Sequence, residues 1–202
     1  MELDFQDNTL GMNEQEWRSA LRREMAARRA ALTPAEHAAL SQRICEHLTA
    51  CLPQFGATTV AFCWPIRDEA DIRPAMIDWL QQGGRVALPV VTESEAPLAF
   101  RAWTPQTPLI PDRYGIPTPD AGEWLTPEVL LLPLNAFDAA GYRLGYGGGY
   151  FDRTLATLVP RPLAIGVGFE FNRVPSIRPQ AHDQRLDWIV TEAGAKQVVQ
   201  EP

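Results

Sequence analysis

The chain has 202 residues, 46% hydrophobic and 21% charged, with a formal net charge of −7 at neutral pH. That length suits one domain with a substantial core; the acidic balance argues against a general nucleic-acid binder, and without an apolar run of ~18 residues no transmembrane helix is expected. The start is acidic and polar, unlike a secretory signal, so the expected compartment is the cytoplasm.

Residues 1–12 read as a flexible leader ahead of a single α/β domain over 13–202. Asn13 and Glu16 form a capping-box pattern, and the spacing of Trp17, Leu21 and Met25 predicts a helix to about Leu32. Its other side carries Arg18, Arg22, Arg23, Arg28 and Arg29, which reads as a solvated face. Thr33-Pro34-Ala35-Glu36 starts a second helix that should reach about Ala50. Residues 58–63 predict a buried strand rich in β-branched and aromatic side chains, followed by a polar loop at Arg67-Asp68-Glu69. A helix over 73–82 stops at Gly83-Gly84, and strands follow over 85–91 and 98–103. The proline-dense stretch 104–127 predicts an extended, ordered connection. Residues 129–132 are all apolar, the pattern of a strand covered on both faces. A glycine-rich loop opens a helix over 150–158, and the last strands are predicted over 163–169 and 186–191. This alternation predicts a layered α/β sandwich, with a mainly parallel or mixed central sheet and helices on both faces. The loops at 64–69, 133–138 and 143–152 all follow predicted strands, so they can converge on one sheet edge.

The chemistry concentrates in Arg143-Leu144-Gly145-Tyr146-Gly147-Gly148-Gly149-Tyr150-Phe151-Asp152. Glycines let a backbone approach a ligand and turn its N–H groups toward an anion. Arginine adds a cationic fork suited to phosphate, and aspartate a hard oxygen ligand of the kind Mg²⁺ takes. Lys196 is the only lysine beside 17 arginines, so cationic contacts elsewhere in the chain fall to arginine. The plain alternative for the loop is a tight turn between strand and helix. Asp183 reads either as a second metal carboxylate with Asp152 or as a turn aspartate. Glu69 reads as a solvated loop charge or as an acceptor for the N–H donors of a heterocycle, and Trp64 as an aromatic wall or as core. Cys45, Cys51 and Cys63 lack metal-like spacing and read as structural thiols. No histidine is spaced for a covalent triad.

The run Leu132-Pro133-Leu134-Asn135-Ala136-Phe137-Asp138, with Gly141-Tyr142 and the Arg143–Asp152 loop, resembles the signature of 5-formyltetrahydrofolate cyclo-ligases, also called methenyltetrahydrofolate synthetases. The resemblance extends to the first helix, to Trp64-Pro65-Ile66-Arg67-Asp68-Glu69 and to His182-Asp183-Gln184-Arg185-Leu186-Asp187, in the family's order. It implies conversion of 5-formyltetrahydrofolate, with or without a polyglutamate tail, to 5,10-methenyltetrahydrofolate, using ATP and Mg²⁺ and releasing ADP and phosphate. The formyl oxygen would take the γ-phosphoryl group, and N10 would close the ring.

By the same resemblance, ATP would be bound by Arg18, Ser19, Ala20, Leu21 and Arg22 and by Arg143, Leu144, Gly145, Tyr146, Gly147, Gly148, Gly149, Tyr150 and Phe151. The folate would meet Trp64, Glu69, Tyr146, Gly147, Gly148, Gly149 and Tyr150. Arg143 and Tyr150 would be catalytic, and Asp152 and Asp183 would hold Mg²⁺. Neither nucleic acid nor membrane is an expected partner, and the expected state is a monomer or weak homodimer. Two positions depart from the family pattern: Arg18 stands where lysine is usual, and Phe151 where a second tyrosine is common. The rival readings are another ATP-using ligase or phosphotransferase on the same fold, and a binding protein without catalysis.

Overall fold

The computed structural model describes residues 11–199; most of the predicted leader, residues 1–10, lies outside them. Helix α1 (Glu14–Ala30) starts at the expected capping box, in which Asn13 Oδ1 accepts from Glu16 N and Glu16 Oε2 from Asn13 N, both at 3.0 Å. Helix α2 (Pro34–Cys51) starts the same way from Thr33 and Glu36, with proline in its first turn. Strand β1 (Thr59–Ala61), helix α3 (Arg73–Gln81) and strands β2 (Arg85–Val90) and β3 (Ala99–Ala102) follow.

The proline-dense stretch is less uniform than expected. It contains a two-stranded hairpin, β4 (Leu109–Pro111) with β5 (Pro117–Pro119), whose turn is fixed by Asp112 Oδ1 accepting from Tyr114 N and Ile116 N, both at 2.8 Å. After β6 (Val129–Pro133) the glycine loop is not reached directly. A short antiparallel pair, β7 (Ala136–Phe137) and β8 (Arg143–Leu144), comes first. Helix α4 (Tyr150–Thr157), β9 (Leu163–Val167), β10 (Trp188–Thr191) and an unpredicted final strand, β11 (Gly194–Gln197), complete the described chain.

The main sheet has the order β11-β10-β9-β6-β1-β2-β3. Its five central strands run parallel, and antiparallel β11 and β3 form the edges. The central strands are apolar on both sides because both sides are covered. Val60, Phe62, Leu131 and Ile165 face α2 and α3, while Ala61, Leu130, Leu132 and Ala164 pack with Leu155 of α4 and with Phe137 and Leu186. The α/β sandwich with a mainly parallel, mixed sheet and helices on both faces is therefore as expected.

Helix α1 lies elsewhere. Its Trp17, Leu21 and Met25 pack on Ala136, Leu144 and Ile177 rather than on the main sheet. From β1 the chain moves to β2 on one side, and β6 pairs on the other side of β1 and leads to β9. The order thus reverses between β1 and β6, the kind of position at which open α/β sheets open a crevice. The Glu69 loop leaves β1 there, and the β7–β8 pair with its glycine loop leaves β6. No helix among the described residues is long and apolar enough to cross a membrane.

Candidate active site

The glycine loop is held from three directions. Arg143 starts it with a side chain only 4% exposed, whose Nη1 donates to Gln184 O at 2.8 Å and Nη2 to Asp152 Oδ1 at 3.0 Å. Gln184 N also donates to Asp152 Oδ1, at 2.9 Å. One guanidinium therefore ties the two ends of the loop to the segment just past Asp183. Burial lowers the Arg143 pKa and the Asp152 charge opposes that shift; an arginine remains a cation in either case. From α1, Arg22 Nε donates to Gly145 O at 2.7 Å. From within α4, Arg153 Nη2 donates to Gly148 O at 2.5 Å.

Gly147 and Gly149 have φ of +97° and +64°, a left-handed backbone that other residues adopt at a cost of about 1–2 kcal/mol. Gly149 is also the N-cap of α4 and offers no side chain. The N–H groups of the first turn are thus left for an outside acceptor, at the positive end of the helix. Arg22, Arg143 and Arg153 hold the loop around this turn, and the arrangement suits a polyphosphate.

Arg18 is buried, contrary to the solvated face expected for the arginines of α1. Its Nη2 donates to Asp183 Oδ2 at 2.6 Å and to Arg178 O at 2.8 Å. Arg29 is buried as well, at 2% exposure. The α1 stripe packs on the β7–β8 pair, which turns Arg18, Arg22 and Arg29 inward and leaves Arg23 exposed as expected. Leu21 and Leu144 are absorbed by that packing, Ala20 is half-buried, and Ser19 is exposed.

Burial would raise the Asp183 pKa, but the hydrogen bonds from Arg18 and Gln180 N outweigh it and hold the carboxyl below the ordinary aspartate value. A depressed carboxyl stabilises the fold above its unfolded pKa, and that contribution is lost as pH falls through the folded one. Arg18→Met should therefore destabilise the chain by about 3 kcal/mol at neutral pH. The gap between variant and parent should close on acidification below about pH 4. Urea unfolding at a series of pH values measures this, and a pH-independent gap would contradict it.

The expected metal carboxylates come close through Gln184, but each already serves an arginine. Among the described residues no group of three or more His, Cys, Asp or Glu side chains is arranged to hold a metal. The pair still fits a hard cation that takes most of its ligands from phosphate and water. The hydrogen bonds to Asp152 fall on Oδ1 and those to Asp183 on Oδ2, so the other oxygen of each accepts no hydrogen bond among the described residues, although His182 Nε2 lies 3.9 Å from Asp183 Oδ1. Asp138, also upstream of the loop, is structural: it accepts from Tyr142 N at 3.0 Å and Ile177 N at 3.1 Å.

The second half of the crevice centres on Glu69. Arg67 and Asp68 take φ of +50° and +56°, a turn that folds the loop back so that Glu69 Oε2 accepts from Ile66 N at 3.0 Å. Tyr146 of the glycine loop donates its hydroxyl to Glu69 Oε1 at 2.5 Å, with Arg67 stacked 5.1 Å from the ring centre. The phosphate-type loop and the candidate heterocycle acceptor are thus in direct contact. Burial pushes the Glu69 pKa up, opposed by Tyr146, Ile66 N, Arg29 and Arg67. Burial and the Glu69 charge together raise the Tyr146 phenol far above its usual range. Beside them opens a cleft of about 420 Å³ lined by Arg29, His37, Arg67, Glu69, Asp71 and Arg73. Trp64 packs edge-on to Trp103, with Arg73 5.0 Å above its ring.

Tyr150 and Phe151 lean on the sheet-face cluster around Leu155. The Tyr150 hydroxyl lies 2.8 Å from that of Tyr114, at the tip of the β4–β5 hairpin. Sequence reasoning missed Tyr114, Arg153 and Arg29. The turn residues of Asp112-Arg113-Tyr114-Gly115 between prolines could have indicated the hairpin, but its contact with Tyr150 has no local signal.

Residues 14–192 match the model of the 5-formyltetrahydrofolate cyclo-ligase family. The Escherichia coli protein named 5-formyltetrahydrofolate cyclo-ligase is 37% identical over 134 residues, covering 63% of this chain and 74% of that protein. The one from Haemophilus influenzae is 29% identical over 182 residues, covering 87% and 97%. Among solved structures, the Aquifex aeolicus 5,10-methenyltetrahydrofolate synthetase superposes with a TM-score of 0.79 at 28% identity, over 92% of this chain and 94% of that one. With the family's motifs gathered at the β1/β6 reversal and its model spanning nearly all the described residues, the chain belongs to the 5-formyltetrahydrofolate cyclo-ligase family and is an enzyme.

Proposed function

We propose that the chain couples ATP hydrolysis to closure of 5-formyltetrahydrofolate into 5,10-methenyltetrahydrofolate at the β1/β6 crevice. The observation that carries this is the Tyr146–Glu69 hydrogen bond, 2.5 Å long, which joins the loop suited to a triphosphate with the carboxylate suited to a heterocycle. A reaction between a γ-phosphoryl group and a formyl oxygen needs those two subsites to touch.

In this reading the backbone N–H groups of residues 145–149 and the start of α4 cradle the phosphates, with Arg18, Arg22 and Arg143 supplying charge. Glu69 accepts the N–H groups of the pterin, and Tyr146 and Tyr150 border the folate, with Tyr114 closing over them. The formyl oxygen attacks the γ-phosphorus and ADP departs. N10 then attacks the formyl carbon, phosphate leaves from that carbon, and N10 gives up its proton. Arg143 neutralises charge developing on the transferred group, the largest contribution a protein makes to phosphoryl transfer. Asp152 and Asp183 would hold Mg²⁺, which supplies charge neutralisation and in-line alignment of the phosphates. No protein nucleophile is required.

The test is the appearance of 5,10-methenyltetrahydrofolate absorbance when folded protein is mixed with 5-formyltetrahydrofolate, ATP and Mg²⁺. Product that depends on all three is expected. ATP consumption with a different heterocycle and none with the formylfolate would overturn the reading.

A further inference from the structure

Arg29 is the least explained charge among the described residues. It is 2% exposed, and neither Nη1 nor Nη2 has a hydrogen-bond partner among the described residues. Its one bond is from Nε to Arg67 O, at 3.2 Å. A buried, unpaired cation is expensive, and a site that needed only volume would be better filled by an apolar chain. The terminal nitrogens are sealed from solvent, so the cleft beside them does not offer them to a ligand directly. What the guanidinium does reach is electrostatic. Arg29 lines the same cleft as Glu69, and its charge acts on both the Glu69 carboxyl and the Tyr146 phenol.

We propose that Arg29 is a positioning residue for the heterocycle site, keeping Glu69 ionised and its turn fixed so that the carboxylate accepts the N–H donors of the substrate. This rests on the reading of Glu69 as that acceptor. Two features carry it: the Nε bond pins the left-handed Arg67–Asp68 turn that aims Glu69, and the buried guanidinium lines the same cleft as the half-buried Glu69 carboxylate. The other groups facing Glu69 are the Tyr146 hydroxyl, Ile66 N, Arg67 and the Cys63 thiol, while His37 Nε2 meets its backbone oxygen at 2.9 Å. Arg67 is exposed, so solvent screens its charge more than that of Arg29.

The experiment compares Arg29→Met, Arg29→Lys and Glu69→Gln with the parent enzyme. Steady-state kinetics run from about pH 5 to 8 and are paired with thermal melts. Arg29→Met should melt within about 4 °C of the parent or above it. Its KM for 5-formyltetrahydrofolate should rise about tenfold, while the KM for ATP stays within about twofold. Glu69 accepts a pair of N–H donors through both oxygens only when ionised, and loss of Arg29 raises its pKa. The acid limb of kcat/KM for the folate should therefore move to higher pH in Arg29→Met, return part of the way in Arg29→Lys and disappear in Glu69→Gln. An unmoved limb in Arg29→Met, an equal rise of both KM values, or a variant that melts far lower or fails to fold would overturn the proposal and make Arg29 structural. If Glu69→Gln raises the folate KM and Arg29→Met does not, only the Arg29 proposal falls. If Glu69→Gln leaves the folate KM unchanged, the reading of Glu69 falls with it.

Discussion

Asp152→Asn should lower kcat/KM by about 10²–10³-fold while the melting temperature moves by no more than about 4 °C. The choice of asparagine follows from the geometry. Asp152 Oδ1 accepts both from Arg143 Nη2 and from Gln184 N. An asparagine keeps that oxygen and both bonds but loses the charge that, on the proposed reading, holds a divalent cation against the phosphates. Alanine would also remove the oxygen that accepts from Gln184 N and from a guanidinium only 4% exposed, so Asp152→Ala should lose about 3–5 kcal/mol of stability along with activity. Turnover by methenyltetrahydrofolate absorbance and thermal unfolding separate the two variants. Near-parental kinetics for Asp152→Asn would remove this carboxylate from the metal site.

Arg143→Met should cost about 10³-fold in kcat, in the range found when an arginine that neutralises a transferring phosphoryl group is removed. Arg143→Lys should recover little of it. The wild-type side chain reaches Gln184 O with one terminal nitrogen and Asp152 with the other, and a single ammonium cannot span both while also serving the phosphate of the proposed reaction. The stability change in Arg143→Met should stay near 1–2 kcal/mol, because Asp152 is 20% exposed and keeps its bond from Gln184 N. If Arg143→Lys restored activity, the arginine would be acting as a simple charge.

The sequence made the layered fold legible because the parallel strands are short apolar runs separated by helical periodicity, and both patterns are local. The Arg143–Asp152 loop was legible for a similar reason: glycine, arginine and aspartate within ten positions constrain chemistry wherever the loop sits. The turn at Arg67-Asp68 and the burial of Arg18 and Arg29 were not legible. An amphipathic helix is read by assuming that its charged side meets water, but α1 packs its apolar stripe on a pair of two-residue strands and turns Arg18 and Arg29 inward, while Arg23 stays in solvent as expected. Strand β11 was missed because Gly194-Ala195-Lys196-Gln197 has weak strand propensity; pairing with β10 supplies what the residues lack. The approach of Tyr114 to Tyr150 joins residues 36 apart in sequence, and depends on where the β4–β5 hairpin lies.

The Tyr146–Glu69 bond also bears on discrimination. On the proposed reading, a ligand does not meet an idle carboxylate but one already satisfied by a phenol at 2.5 Å. Its affinity at this point is then a difference between two hydrogen-bonded states. A ring presenting paired N–H donors can exchange with the tyrosine and come out ahead. An isostere with a single donor, or with an acceptor at that edge, would surrender the phenol bond without replacing it. Rejection would thus be built into the protein's own competing contact, and Tyr146→Phe would widen the range of rings accepted more than it weakened the preferred one.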